Sequence, residues 1–249
     1  MQTQNGCRPR TQVMRNHRIE PPTLDFIAKI PDTKKMPGLS KEEFQKIYSL
    51  WDNVSPIDGD CGLLCSAACC RETGDYPQEI CNPEFKSQSQ EEDGQVELGM
   101  YLLPGEEQML STQTPWLTWT TDNPAEYGFP ESWTEPVYYA KCNGPANCRR
   151  NLRPIQCRTF PLQPHLDQDN RLHLIYYSDA LPYKCPLVSN LTKLNQDYLL
   201  ATFTAWKKLL KDERIFDLVK EDSDYRDYIG TPYTIAYPYQ TSRTPDSDC

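Results

Sequence analysis

The chain has 249 residues, with 26 Lys and Arg against 35 Asp and Glu, and eleven of its residues are cysteine. That length buries a sizeable core without covalent staples, and the formal charge of -9 disfavours non-specific attraction to nucleic acid or to an anionic membrane surface. No run is apolar enough to span a bilayer and the start, Met1 to Cys7, carries no hydrophobic leader. We therefore expect a cytoplasmic protein, in whose reducing surroundings the cysteines serve metal or redox chemistry rather than disulfides.

Residues 1–38 mix Pro, Gln, Arg and Lys without apolar periodicity and read as an N-terminal arm. Ser40-Lys-Glu-Glu43 is a capping-box signature, and Phe44, Ile47, Tyr48 and Trp51 follow at helical spacing, which predicts a helix over Lys41 to Asp52. Pro56 and Asp58-Gly-Asp60 break it before the first cysteines. Lys86 to Gly94 is loop-like, Val96 to Leu103 has strand composition, and Pro104-Gly-Glu-Glu107 looks like the opening of another helix. Thr112 to Glu135 gives no period.

Val137 to Lys141 and Arg171 to Tyr177 carry the β-branched and aromatic content of strands. Leu191 to Leu210 places Leu191, Leu194, Tyr198, Ala201, Ala205 and Leu209 three and four apart, the pattern of a long core helix. The expected organisation is an arm at 1–38, a cysteine-rich metal-binding domain at 39–221, and a Tyr- and Pro-rich tail at 222–249 that wraps the surface or stays loose.

Nine cysteines fall between Cys61 and Cys185, leaving Cys7 and Cys249 in the arms. The first group, Cys61-x3-Cys65-x3-Cys69-Cys70, would set Cys65 and Cys69 one turn apart if helical, roughly 6 Å along the axis. On an unbroken helix Cys61 and Cys69 would stand about 12 Å apart, too far for one zinc with bonds of about 2.3 Å. Either a bend at Gly62 or two sites would resolve this. Adjacent Cys69 and Cys70 point apart, which favours two neighbouring sites, or one ligand beside a structural or redox thiol.

The second group is Cys142, Cys148 and Cys157, followed by Cys185-Pro186. Arg149, Arg150, Arg153 and Arg158 lie in and beside it and are suited to offset thiolate charge or donate to sulfur. The absence of a C-x2-C knuckle leans toward an iron-sulfur cluster over zinc, and both stay open. His165 and His173 are candidate ligands or bases. Glu106 is a candidate acid near the metal, although acids in a helix's first turn are expected from the macrodipole alone.

Cys61 to Cys70 together with Arg153-Pro-Ile-Gln-Cys-Arg-Thr-Phe-Pro161 resembles the CxxCxxCC-type zinc- or iron-chelating cysteine-cluster family, over roughly residues 57 to 187. The segment Tyr101-Leu-Leu-Pro-Gly-Glu106 is also similar to that family's. The resemblance implies eight metal ligands, Cys61, Cys65, Cys69, Cys70, Cys142, Cys148, Cys157 and Cys185, with Cys81 the extra one. The first block departs from the pattern, with three residues between cysteines where the family name has two. A flagellin lysine methylase is similar in its cysteine block alone.

The expected fold is one irregular α+β domain organised around a cysteine metal centre, with a long helix near the C-terminus. The expected function is an intracellular metal-binding protein that holds an iron-sulfur cluster or zinc. Alternatives are an iron-sulfur or zinc enzyme of redox or group-transfer chemistry, or a zinc-stapled interaction module. The partner would be a protein or small molecule, not nucleic acid or membrane, and no catalytic residue is assigned.

Overall fold

The computed structural model describes residues 38–70, 99–110, 117–144, 146, 148 and 150–237. The expectations for the N-terminal arm, the loop at 86–94, and Cys7, Cys81 and Cys249 lie outside these residues.

Helix α1, Lys41–Tyr48, starts where the capping box predicts. Ser40 Oγ accepts the Glu43 N–H at 3.3 Å, and the Glu43 carboxylate accepts the Ser40 N–H at 2.8 Å. Its last turn tightens into a 3-10 turn, Ser49–Trp51, so the α-helix ends earlier than expected. Phe44, Ile47, Tyr48 and Trp51 are all buried, the face that the spacing marks. The indole of Trp51 donates to Thr202 Oγ1 at 3.2 Å.

Two small antiparallel sheets follow. In the first, β1 (Gly99–Tyr101) and β2 (Leu117–Asp122) flank β3 (Val137–Cys142). β2 lies in the stretch whose sequence gives no period, because its exposure does not alternate cleanly. A Cβ on Gly99 would stand 2.5 Å from the Tyr139 ring and 2.6 Å from the Ala140 carbonyl oxygen, so glycine is required for β1 to pair there.

The second sheet runs in the order β4 (Leu162–Leu166), β5 (Leu172–Tyr176), β6 (Ile235–Tyr237). β4 carries Pro164, which hides its strand character in sequence and suits the edge position it occupies.

Two short helices, α2 (Ile155–Thr159) and α3 (Pro186–Ser189), lie before β4 and after β5 in the chain. Helix α4, Gln196–Leu209, begins five residues later than its periodicity predicts: Leu191 is exposed with φ at 46°, outside helical space. Helix α5, Glu213–Tyr228, runs through residues 221 and 222, where the tail was expected to begin, and β6 then pairs with β5. Asp212 caps α5 by accepting the Arg214 N–H at 3.0 Å, and it pairs with the Arg214 guanidinium at 2.7 Å.

The main core gathers Phe44, Ile47, Tyr101, Leu162, Leu174, Tyr198, Leu209 and Ile215 from α1, both sheets, α4 and α5. The architecture is thus a mixed α+β domain. No helix among the described residues is long and apolar enough to cross a membrane.

His165 is 1% exposed on β4, with Arg226 Nη1 at 3.2 Å from Nδ1 and the Tyr233 hydroxyl at 3.0 Å from Nε2. A guanidinium only donates, so Nδ1 accepts and the ring is neutral. Burial lowers the pKa of His165 below its ordinary 6.5; Asp227 opposes this and Arg226 adds to it. The unfolded chain therefore binds the proton more readily, and stability falls as pH drops below 6.5. Urea unfolding at pH 7.5 and 5.5 should show a larger loss for the wild type than for His165→Gln; equal losses would show that His165 does not carry the dependence.

Candidate metal centre

The first cysteine block is not a helix. Asp60 accepts the Gly62 N–H at 2.9 Å and opens a 3-10 turn, Cys61–Leu64. Ser66 and Ala67 then take positive φ, 52° and 54°, before a second turn, Ala68–Cys70. The bend that the thiol spacing needs is thus at Ser66 and Ala67 and not at Gly62. Non-glycine residues in this region are strained, and the Ala67 N–H donating to the Gly62 carbonyl at 2.8 Å and fully buried Ala68 hold them there.

The remaining thiols come from three other segments. Cys142 ends β3, opposite Leu117 on β2. Cys148 follows that strand and accepts from Arg153 Nε at 3.2 Å. Cys157 sits in α2, its thiol donating to the Met100 thioether at 3.1 Å. Cys185 caps α3, its carbonyl accepting the Val188 N–H at 3.0 Å.

These segments bring the eight predicted cysteines into two adjoining apolar groups. Cys61, Cys65, Cys69 and Cys185 pack with Ala68, Tyr177 and Tyr183. Cys142, Cys148 and Cys157 pack with Met100, Leu117 and Ala140. Cys70 joins the two: its sulfur lies 3.8 Å from that of Cys69 and also accepts from the Cys142 thiol. None of the eight forms a disulfide among the described residues.

The electrostatics single out Cys70. Hydrogen bonds from Cys142 and then Cys69 hold its pKa below the ordinary thiol range, with Arg153 adding to the effect. The donors respond in the opposite sense, Cys69 and Cys142 being raised first of all by their bonds to Cys70. Burial raises Cys157, and pushes Cys185 up to about 11. Burial works against the Arg153 cation, yet the sulfur of Cys148 keeps its pKa above the usual value.

Among the described residues, no three His, Cys, Asp and Glu groups already stand in metal-holding geometry. The sulfurs of Cys69 and Cys142 instead meet that of Cys70 through S–H···S contacts.

The other candidates divide. Arg153 reaches sulfur as expected, whereas Arg158 donates to the carbonyls of Arg153, Tyr48 and Asn151. Arg149 and the Arg150 side chain lie outside the description. His165 is bound by Arg226 and Tyr233, and His173 lies 3.3 Å from Asp167, so both belong to the second sheet's own network. Met100 is the neighbour that spacing could not reveal, since β1 presents it to Cys157 only through tertiary pairing.

Glu106 is fully buried and begins a 3-10 turn, Glu106–Met109, in place of the expected helix. Its Oε1 accepts from the Tyr48 hydroxyl at 2.7 Å and the Ile155 N–H at 2.6 Å, and Oε2 from the Leu103 N–H at 3.0 Å. It therefore anchors the start of α2 rather than serving as an acid at the thiols. Glu106→Gln exchanges an acceptor oxygen for a donor against these groups and should lower stability by about 2 kcal/mol. Urea unfolding checks this; a change below about 0.5 kcal/mol would remove Glu106 from that role.

Compared with known proteins, the chain matches no family model, no curated protein and no solved structure.

Proposed function

We propose that this chain is a metal-binding protein whose eight clustered cysteines supply two neighbouring four-thiolate sites for zinc or an iron-sulfur cluster. The observation that carries the reading is the convergence of these thiols from four separate segments into two adjoining groups. One site would use Cys61, Cys65, Cys69 and Cys185. The other would use Cys70, Cys142, Cys148 and Cys157.

The donor set fits such a group on chemical grounds. Thiolate sulfur suits zinc and iron-sulfur clusters, and Cys70 is held toward the thiolate form that ligation requires. Four thiolates on a divalent zinc carry a charge of about -2, and Arg153 lies against Cys148 to offset part of it. Ligation would draw the protons from the S–H···S contacts and replace them with metal bonds, stapling β3, α2, α3 and the first cysteine block together. Kinship with the cysteine-cluster family is part of the same proposal and rests on the motif around Cys157.

Metal analysis with visible absorption on anaerobically purified protein tests the reading. Stoichiometric zinc in a colourless protein identifies zinc; iron with acid-labile sulfide identifies a cluster; folded protein free of metal overturns the proposal. Cys157→Ser and Cys185→Ser should each empty one site and leave the other, so each loses about half the bound metal. Each should also fall in stability by about 3 kcal/mol, the linkage expected when free metal exceeds Kd a hundredfold. Variants that keep full metal content and stability would show that the ligand sets are wrong.

A further inference from the structure

Met100 brings a further sulfur to the group that holds Cys142, Cys148 and Cys157. It stands at the centre of β1, directly opposite Ala140 of β3, so it shares a sheet face with Ala140 and with Cys142 two residues on. The side chain is 1% exposed, and its thioether accepts the Cys157 thiol at 3.1 Å. Leu102, Leu110, Leu117 and Ala140 make up the buried part of the same group, so the two sulfurs meet among hydrocarbon.

This contact differs in charge from the other sulfur contacts. Cys70 meets Cys69 and Cys142, and each of those pairs consists of two thiols, whose full deprotonation leaves two charges to neutralise. Cys157 and Met100 share a single proton, because a thioether has none to give. A monovalent ion taking that proton's place leaves the charge unchanged: Cys157 gives up H+, its sulfur bonds the ion, and a lone pair of the Met100 sulfur completes the attachment. A divalent ion on the same two sulfurs would add a net charge to an apolar wall, which is unfavourable. Thiolate and thioether together are soft donors, and softness selects cuprous copper; zinc takes cysteine, histidine and carboxylate instead.

We propose that Cys157 and Met100 bind cuprous copper, the ion replacing the proton that lies between their sulfurs. The inference rests on the reading of Cys157 as a metal ligand and adds a donor outside the eight thiols. Packing is the competing role for Met100. Met100→Leu nearly conserves volume, so it keeps the packing and removes the sulfur. Met109 is partly buried against the same apolar group and serves as the control methionine.

The test uses the full chain as purified, produced with selenomethionine and given one equivalent of Cu(I) without oxygen, with X-ray absorption read at the selenium edge. Zinc and iron are measured on each sample beforehand. Protein free of both overturns the metal reading, while the copper proposal is still decided at selenium. A copper neighbour to selenium is expected in the wild type and in Met109→Leu, and should vanish in Met100→Leu. Competition with the Cu(I) chelator bicinchoninate should show copper held about tenfold more weakly by Met100→Leu than by the wild type, at unchanged zinc or iron content. Selenium without a copper neighbour, a neighbour that persists in Met100→Leu, or equal Cu(I) affinity in the two proteins overturns the proposal. Loss of zinc or iron from Met100→Leu assigns Met100 to packing and overturns it as well.

Discussion

The buried carboxylate of Glu106 is the constraint on which the thiol-bearing part of the molecule depends. With no exposed surface, it would be strongly unfavourable unless its oxygens were satisfied. Three donors satisfy them, from α1, from the backbone after β1 and from the first residue of α2. Burial pushes the carboxyl above the usual carboxylate range, and these same donors draw it back toward ionisation. At the other end of α2, the Tyr198 hydroxyl meets the carbonyl oxygens of Arg158, Thr159 and Phe160. A helix of five residues has little stability of its own, yet it is clamped at both ends, and Cys157 lies between the clamps.

The same logic explains how a short turn presents four thiols. Cys61, Cys65, Cys69 and Cys70 would be spread along a regular helix, whereas two 3-10 turns joined by left-handed residues fold them back on themselves. The entrance to this block is fixed from outside. Asn195 donates its backbone N–H to Pro56 at 2.8 Å and its amide to Ser55 and Asp58, linking the start of α4 to the chain just before Cys61. Positioning of the thiols is therefore tertiary, carried by contacts more than a hundred residues apart in sequence.

Much of the fold was legible where local chemistry and burial agree. The capping box at Ser40 and the apolar face of α1 are written in side chains that make their contacts within one helix, and β3 and β5 carry their strand composition openly. The rest was hidden by competing signals. Pro164 masks β4, Leu191 extends an apolar period past the point where the backbone leaves helical space, and the Asp, Arg and Tyr of residues 222–228 disguise the exposed side of α5. For the thiols, clustering along the chain pointed to the eight residues that meet in space. Their division into groups, the bend at Ser66 and Ala67, and Met100 beside Cys157 are products of packing, which spacing does not encode.

The participation of Cys185 in the first group sets an order on assembly. Its partners Cys61, Cys65 and Cys69 lie more than a hundred residues earlier, so this group closes a very long loop. Local turns can form as the chain emerges, but that group stays one thiol short until α3 docks. During synthesis the early thiols are therefore unpacked for about half of the time the chain is growing, open to oxidation. Oxidation in that interval would trap the first block before its last partner has arrived.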